Sequence, residues 1–167
     1  PRATFGVTYG NPLWEELLRI ARLLEPNFLV NVTLNEERGI TGAFAGDLEA
    51  AHQAGYEFVR ATAMQQVAEP FDVVVTTNSG YPLDQNLYQG VKGMSAAARI
   101  VKEGGLILLA CECSDGVPNQ SPYENLVHSH ESPEALLAAL MQGNQSWPEQ
   151  WQAQIQAICQ AKAQVGL

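Results

Sequence analysis

Positive charge is scarce in this sequence. Lys and Arg together number 9 against 18 Asp and Glu, giving a net charge of -9 and a pI near 4.7. That balance repels phosphate backbones and anionic lipid, so neither nucleic acid nor a membrane is expected as a partner. Long apolar runs are missing as well. The longest, Leu106 to Cys111, falls far short of the ~20 residues a bilayer span needs, and the first residues lack the basic-then-apolar layout of a signal peptide. A cytoplasmic location is the expectation. Cysteine is sparse and odd in number, at Cys111, Cys113 and Cys159, unlike the dense even sets of small secreted domains. Cys111-Glu112-Cys113 lacks the spacer and the second ligand pair of a zinc knuckle, and is expected inside a strand. Low-complexity tracts and internal repeats are absent too. What remains is 167 residues, 46% hydrophobic and 16% charged, which reads as one globular domain over residues 1–167 with a core of its own. Both ends read as cut: the chain opens on Pro1, and Gln164 to Leu167 close it as a helix heads towards a further element.

Cap residues and periodicity set out the elements. Asn11-Pro12 followed by Leu13, Leu17, Ile20 and Leu24 predicts a helix over 12–25 that Pro26 stops. Phe28 to Leu34 and Ile40 to Phe44 are β-rich runs joined by the polar turn Asn35 to Gly39, hence an antiparallel hairpin. Asp47 caps a helix through Ala51, Phe58 and Val59. Asp72 to Thr77 is almost continuously apolar or β-branched, as expected of a strand covered on both faces. A helical stretch from about Leu83 to Glu103 then stops at Gly104-Gly105 before a second strand, Leu106 to Cys113, completing a β-α-β unit with parallel strands. Helical patterns near 121–127, 133–142 and 148–163 follow, each opened by Ser-Pro or Trp-Pro. The fold class is α/β: a three-layer sandwich with a mixed, mostly parallel sheet.

Ligands of open α/β sheets collect beyond the carboxyl ends of the strands, which singles out Asn78 to Asn86 and Ser114 to Gln120. The first segment leads into a helix with two stripes. Leu87, Val91 and Met94 form an apolar stripe for the sheet; Gln85, Gln89 and Lys92 form a polar one, bordered by Tyr88, with Gly90 and Gly93 leaving nearby backbone uncovered. A Lys ammonium beside a Gln amide suits a small carboxylate, and it equally suits a solvated helix face. The pattern alone is compatible with both. Neither G-x-G-x-x-G nor G-x-x-x-x-G-K-[ST] occurs, against a nucleotide site. His128 and His130 supply only two ligands in a polar loop, short of a metal site. His52 fits packing or hydrogen bonding within its helix, and Cys159 fits a buried small hydrophobe.

The block Tyr81-Pro82-Leu83-Asp84-Gln85-Asn86-Leu87-Tyr88-Gln89-Gly90-Val91-Lys92-Gly93-Met94 resembles a signature of the nickel-dependent lactate racemase family, whose cofactor is a nickel pincer nucleotide. Gly10-Asn11-Pro12 with Glu15-Glu16, Asn31-Val32, Leu34-Asn35, Phe44 to Asp47, Ala51 to Gly55 and Gln150 to Gln154 resemble further blocks of that family in the same order. The resemblance covers essentially the whole chain and implies the carboxyl-terminal lobe of a two-lobed enzyme. In the family, the amino-terminal lobe supplies the cofactor-bearing lysine, a nickel-binding histidine and two proton-exchanging histidines. None has a counterpart here, so no catalytic or metal residue is expected in this chain, no cofactor is expected bound to it, and His52, His128 and His130 take none of those roles.

The resemblance places substrate-binding roles on Gln89 and Lys92, with Tyr88 beside them and Trp151 lining the site; the family position at Ser79 is often glycine. It implies a small 2-hydroxy acid substrate that gives hydride to the cofactor while a histidine takes the hydroxyl proton, Lys92 and Gln89 holding the carboxylate. The leading expectation is therefore the substrate-binding lobe of a racemase or epimerase, inactive without its amino-terminal lobe. The alternative is a noncatalytic ligand-binding or assembly module of the same fold.

Overall fold

The computed structural model describes residues 3–4, 6–25, 28–143 and 145–167; Pro26, the expected helix stop, lies outside them. The chain forms two compact units, Pro1–Gln66 and Val67–Leu167.

The first unit runs α1 (Pro12–Leu23), β1 (Leu29–Leu34), β2 (Ile40–Gly46) and α2 (Leu48–Ala63). Asn11 starts α1 as its spacing requires: its side-chain oxygen accepts from Leu13 N at 3.0 Å, and Pro12, which has no N–H to satisfy, follows. The apolar stripe of α1 is not buried: Leu13, Leu17 and Ile20 are exposed, as is Leu24 just beyond the helix. β1 and β2 pair antiparallel from Leu29↔Gly46 to Leu34↔Ile40. Their turn closes through Asn35, whose side chain accepts from Gly39 N at 2.7 Å. Asp47 caps α2, accepting from Glu49 N and Ala50 N, both at 3.0 Å. α2 lies on the hairpin, with Phe58 and Phe44 ring centroids 5.6 Å apart. His52 packs against Trp14 at 5.8 Å, and its Nδ1 has no hydrogen-bond partner among the described residues.

The second unit runs β3 (Phe71–Thr77), α3 (Leu87–Ala97), β4 (Val101–Ala110), α4 (Pro122–His128), α5 (Pro133–Met141), α6 (Gln150–Lys162) and β5 (Gln164–Gly166). Its sheet is parallel throughout, in the order β3-β4-β5. Helices beside the strands fit the three-layer α/β class expected from the sequence, with most pairings parallel; the antiparallel pair and the parallel strands form separate sheets. Ser121 and Ser132 cap α4 and α5, each followed by a proline in the first helical turn. The core gathers Val91 and Met94 of α3, Leu109 of β4, Tyr123 and Leu126 of α4, Leu136 and Leu140 of α5, and Ala153, Ala157 and Cys159 of α6. Burying a side chain of the size of Val91 or Met94 contributes about 1.5–3 kcal/mol.

Several expectations are corrected here. β3 is covered on one face: α3 and α6 touch each other and both contact the sheet. Ile107 and Leu109 are buried, whereas Val73, Val75 and Leu108 are exposed. The helix expected to reach Glu103 ends at Ala97, and β4 begins at Val101. Gly104 and Gly105 lie within β4 rather than stopping a helix. Between the pairs Phe71↔Val101 and Val73↔Leu106, residues 102–105 bulge against Asp72 alone. Gly104 takes φ 73, and a Cβ on Gly105 would lie 2.8 Å from the Asp72 carbonyl oxygen. Lys102 Nζ meets Asp72 Oδ1 at 2.7 Å. β4 ends at Ala110, so Cys111 and Cys113 lie beyond the strand, with Cys113 at φ 47. Finally, Gln164–Gly166 forms β5, pairing with Leu106–Leu108 of β4.

Candidate functional site

The segments after β3 and β4 are laced together. Asp84 O accepts Cys113 N at 3.0 Å and Cys111 Sγ at 3.2 Å, while Asp84 Oδ2 accepts Glu112 N at 3.2 Å. Asp115 N donates to Gln85 O at 2.7 Å, and Leu87 N to Gly116 O at 3.0 Å. The two loops expected to collect ligand therefore form one structure that fixes where α3 begins. Asn86 completes the start, accepting Gln89 N at 3.1 Å. Upstream, Ser79 takes φ 67, in the left-handed region that favours glycine.

α3 presents the polar stripe in part as read. Lys92 is exposed, Gln89 half-buried, and Lys92 Nζ donates to Gln89 Oε1 at 2.6 Å. Gln85 lies before the helix, in the laced segment, so the stripe reduces to two residues. The expectation that Gly90 and Gly93 leave backbone uncovered is overturned. Both are buried against the sheet: a Cβ on Gly93 would lie 2.6 Å from Thr77 O, and one on Gly90 3.0 Å from Leu109 Cδ2. These glycines let α3 approach the sheet closely. Tyr81 is exposed.

Tyr88 is brought to Trp151. Their ring centroids lie 5.9 Å apart at 83°, and on another side Tyr88 meets the buried Tyr123 at 5.3 Å and 80°. Edge-to-face pairs of this kind fix ring orientation. Burial and nearby Glu149 push the Tyr88 phenol up from its ordinary value, so it stays protonated and able to donate near neutral pH. Trp151 is half exposed at the start of α6.

Sequence reasoning assigned nothing to Gln152, yet its side chain is 1% exposed and donates from Nε2 to the Tyr88 carbonyl. One turn on, buried Gln156 accepts from Tyr123 Oη. Two glutamines at i, i+4 on the face that also carries Ala153 and Ala157 were the available signal. His128 is exposed, and His130 Nδ1 lies 2.7 Å from Ser129 Oγ. Among the described residues no three His, Cys, Asp or Glu side chains converge as metal ligands, and no helix is long and apolar enough to cross a membrane.

Residues 66–167 match the lactate racemase C-terminal domain, and the chain belongs to that family. Among individual proteins, it is 40% identical over 158 residues to the lactate racemase of Thermoanaerobacterium thermosaccharolyticum and 39% identical over 156 residues to that of Lactiplantibacillus plantarum. Those stretches are 94% and 93% of this chain but 37% of each relative. The solved lactate racemase apoprotein from T. thermosaccharolyticum superposes with a TM-score of 0.86 at 37% identity, covering 99% of this chain and 40% of that one.

Proposed function

We propose that this chain is the substrate-binding lobe of a nickel pincer nucleotide-dependent racemase or epimerase of 2-hydroxy acids, working with an amino-terminal lobe that carries the cofactor. The observation that carries the reading is the Lys92–Gln89 pair, held at 2.6 Å on the open face of α3 beside the ring pair of Tyr88 and Trp151. Lys92 gives the substrate carboxylate its counter-charge and Gln89 turns its amide to donate a second bond. Tyr88 and Trp151 wall the position, orienting the acid so that its reacting carbon faces the other lobe. Among the described residues no three His, Cys, Asp or Glu side chains gather as metal ligands; in this reading cofactor attachment and proton exchange belong to the amino-terminal lobe, and the 167-residue chain is inactive alone.

Racemisation of a panel of 2-hydroxy acids, lactate included, tests the reading on the full-length cofactor-loaded protein and on this chain separately. Turnover of at least one acid by the former and of none by the latter is the expected result. Turnover by the isolated chain refutes the division of labour. A loaded full-length protein that binds no hydroxy acid instead favours a noncatalytic module of the same fold.

A further inference from the structure

Cys111 and Cys113 take no part in the carboxylate-holding face, yet their thiols lie against each other beyond the end of β4. The Cys113 thiol points at Cys111 Sγ, 3.3 Å away. Cys111 in turn donates to Asp84 O at 3.2 Å, and the backbone N–H of Cys113 donates to the same oxygen at 3.0 Å. Both are half-buried and so within reach of small solutes, whereas Cys159 is 1% exposed in the core. Glu112, between them, is exposed, so the segment borders solvent. Closing the contact to a disulfide of ~2.05 Å needs an approach of roughly 1.2 Å, on the scale of side-chain rotation.

We propose that Cys111 and Cys113 form a reversible dithiol site that closes to an intrachain disulfide by exchange with a small-molecule disulfide. One cysteine thiolate attacks a sulfur of the disulfide RSSR, breaking its S–S bond and releasing RS⁻, which takes up a proton. The second cysteine, as thiolate, attacks the protein sulfur of the mixed disulfide and expels the other RS⁻. Two protein thiols are oxidised and RSSR is reduced to two RSH. Closure takes the Cys111 S–H away from Asp84 O, removing one of the bonds that lace the start of α3. Burial and the neighbouring Cys111 push the Cys113 thiol up to about 11, so thiolate is scarce at neutral pH and the exchange is best followed under mildly alkaline conditions.

The test equilibrates the 167-residue chain with graded ratios of oxidised to reduced glutathione, quenches in acid, and reads intact mass and the peptide spanning residues 111–113. Loss of two hydrogens located to that peptide, reversed by excess dithiothreitol, with Cys159 alkylated only after unfolding, is the expected result. The variants Cys111→Ser and Cys113→Ser should each stop at a glutathione adduct on the remaining thiol. Wild-type chains that accumulate stable adducts, pair Cys159, link chain to chain, or stay reduced at the most oxidised ratio overturn the proposal.

Discussion

Lys92 and Gly93 are neighbours on α3 with opposite surroundings, one exposed and the other pressed on the sheet. A charge-assisted bond from Lys92 to a substrate carboxylate is typically worth about 1.5–3 kcal/mol. On the proposed reading, in which Lys92 holds the substrate carboxylate, Lys92→Ala in the full-length protein should lower kcat/KM roughly ten- to a hundredfold. Gln89→Ala should cost less, its amide being neutral, and neither change should shift the unfolding midpoint much, since both side chains reach solvent. Steady-state kinetics beside thermal unfolding separates this from a structural role. Gly93→Ala reverses the pattern. Its methyl would lie 2.6 Å from the Thr77 carbonyl oxygen, a backbone atom that cannot rotate away. Overpacking of this kind costs about 1–3 kcal/mol, so a lower urea midpoint is expected, and an unchanged one would contradict the close approach of α3 to β3.

Among elements, α6 fixes α3 from behind. Gln152 Nε2 holds the Tyr88 carbonyl while its Oε1 is buried without a partner among the described residues. Replacement by Leu removes one favourable bond and one orphaned acceptor together, so the net stability change should stay within about 1 kcal/mol. Tyr88 loses its anchor, however. On the proposed reading, Gln152→Leu should raise KM several-fold in the full-length protein, with kcat nearly held and altered near-UV circular dichroism from Tyr88 and Trp151. A large fall in the urea midpoint with KM unchanged would make Gln152 a core residue alone.

For the whole molecule, the second unit buries groups that fold in their protonated forms. Burial raises the Cys159 thiol from 9.0 to about 11 and pushes the Tyr123 phenol up from 10.0. In this window the unfolded chain loses these protons first, so the native state binds more protons and stability falls with rising pH. Stability from these groups is fully present below about pH 9 and declines as pH climbs towards 11. Urea unfolding at neutral pH and across that range should show the decline, and Cys159→Ala should lessen it. A flat profile would place both groups in contact with water.

Local chemistry alone determined much of this protein. Asn11-Pro12, Asp47, Ser121 and Ser132 start their helices because a cap is satisfied within a few residues, and the Asn35–Gly39 turn closes its own hairpin. The pairing of Gln89 with Lys92 is an i, i+3 relation on one helix, so spacing showed it. Tertiary structure decided what depends on distant neighbours. β5 is too short to carry a period and exists through its pairing with β4. Gly90 and Gly93 read as open backbone until the sheet fills the space against them. Gly104-Gly105 reads as a stop until Phe71 and Val73 of β3 pair on either side of the bulge. Cys111 and Cys113 read as strand residues until Asp84, far away in sequence, takes their hydrogen bonds. In each case the deciding partner lies on another element, and a local sequence signal carries no information about which residue that is.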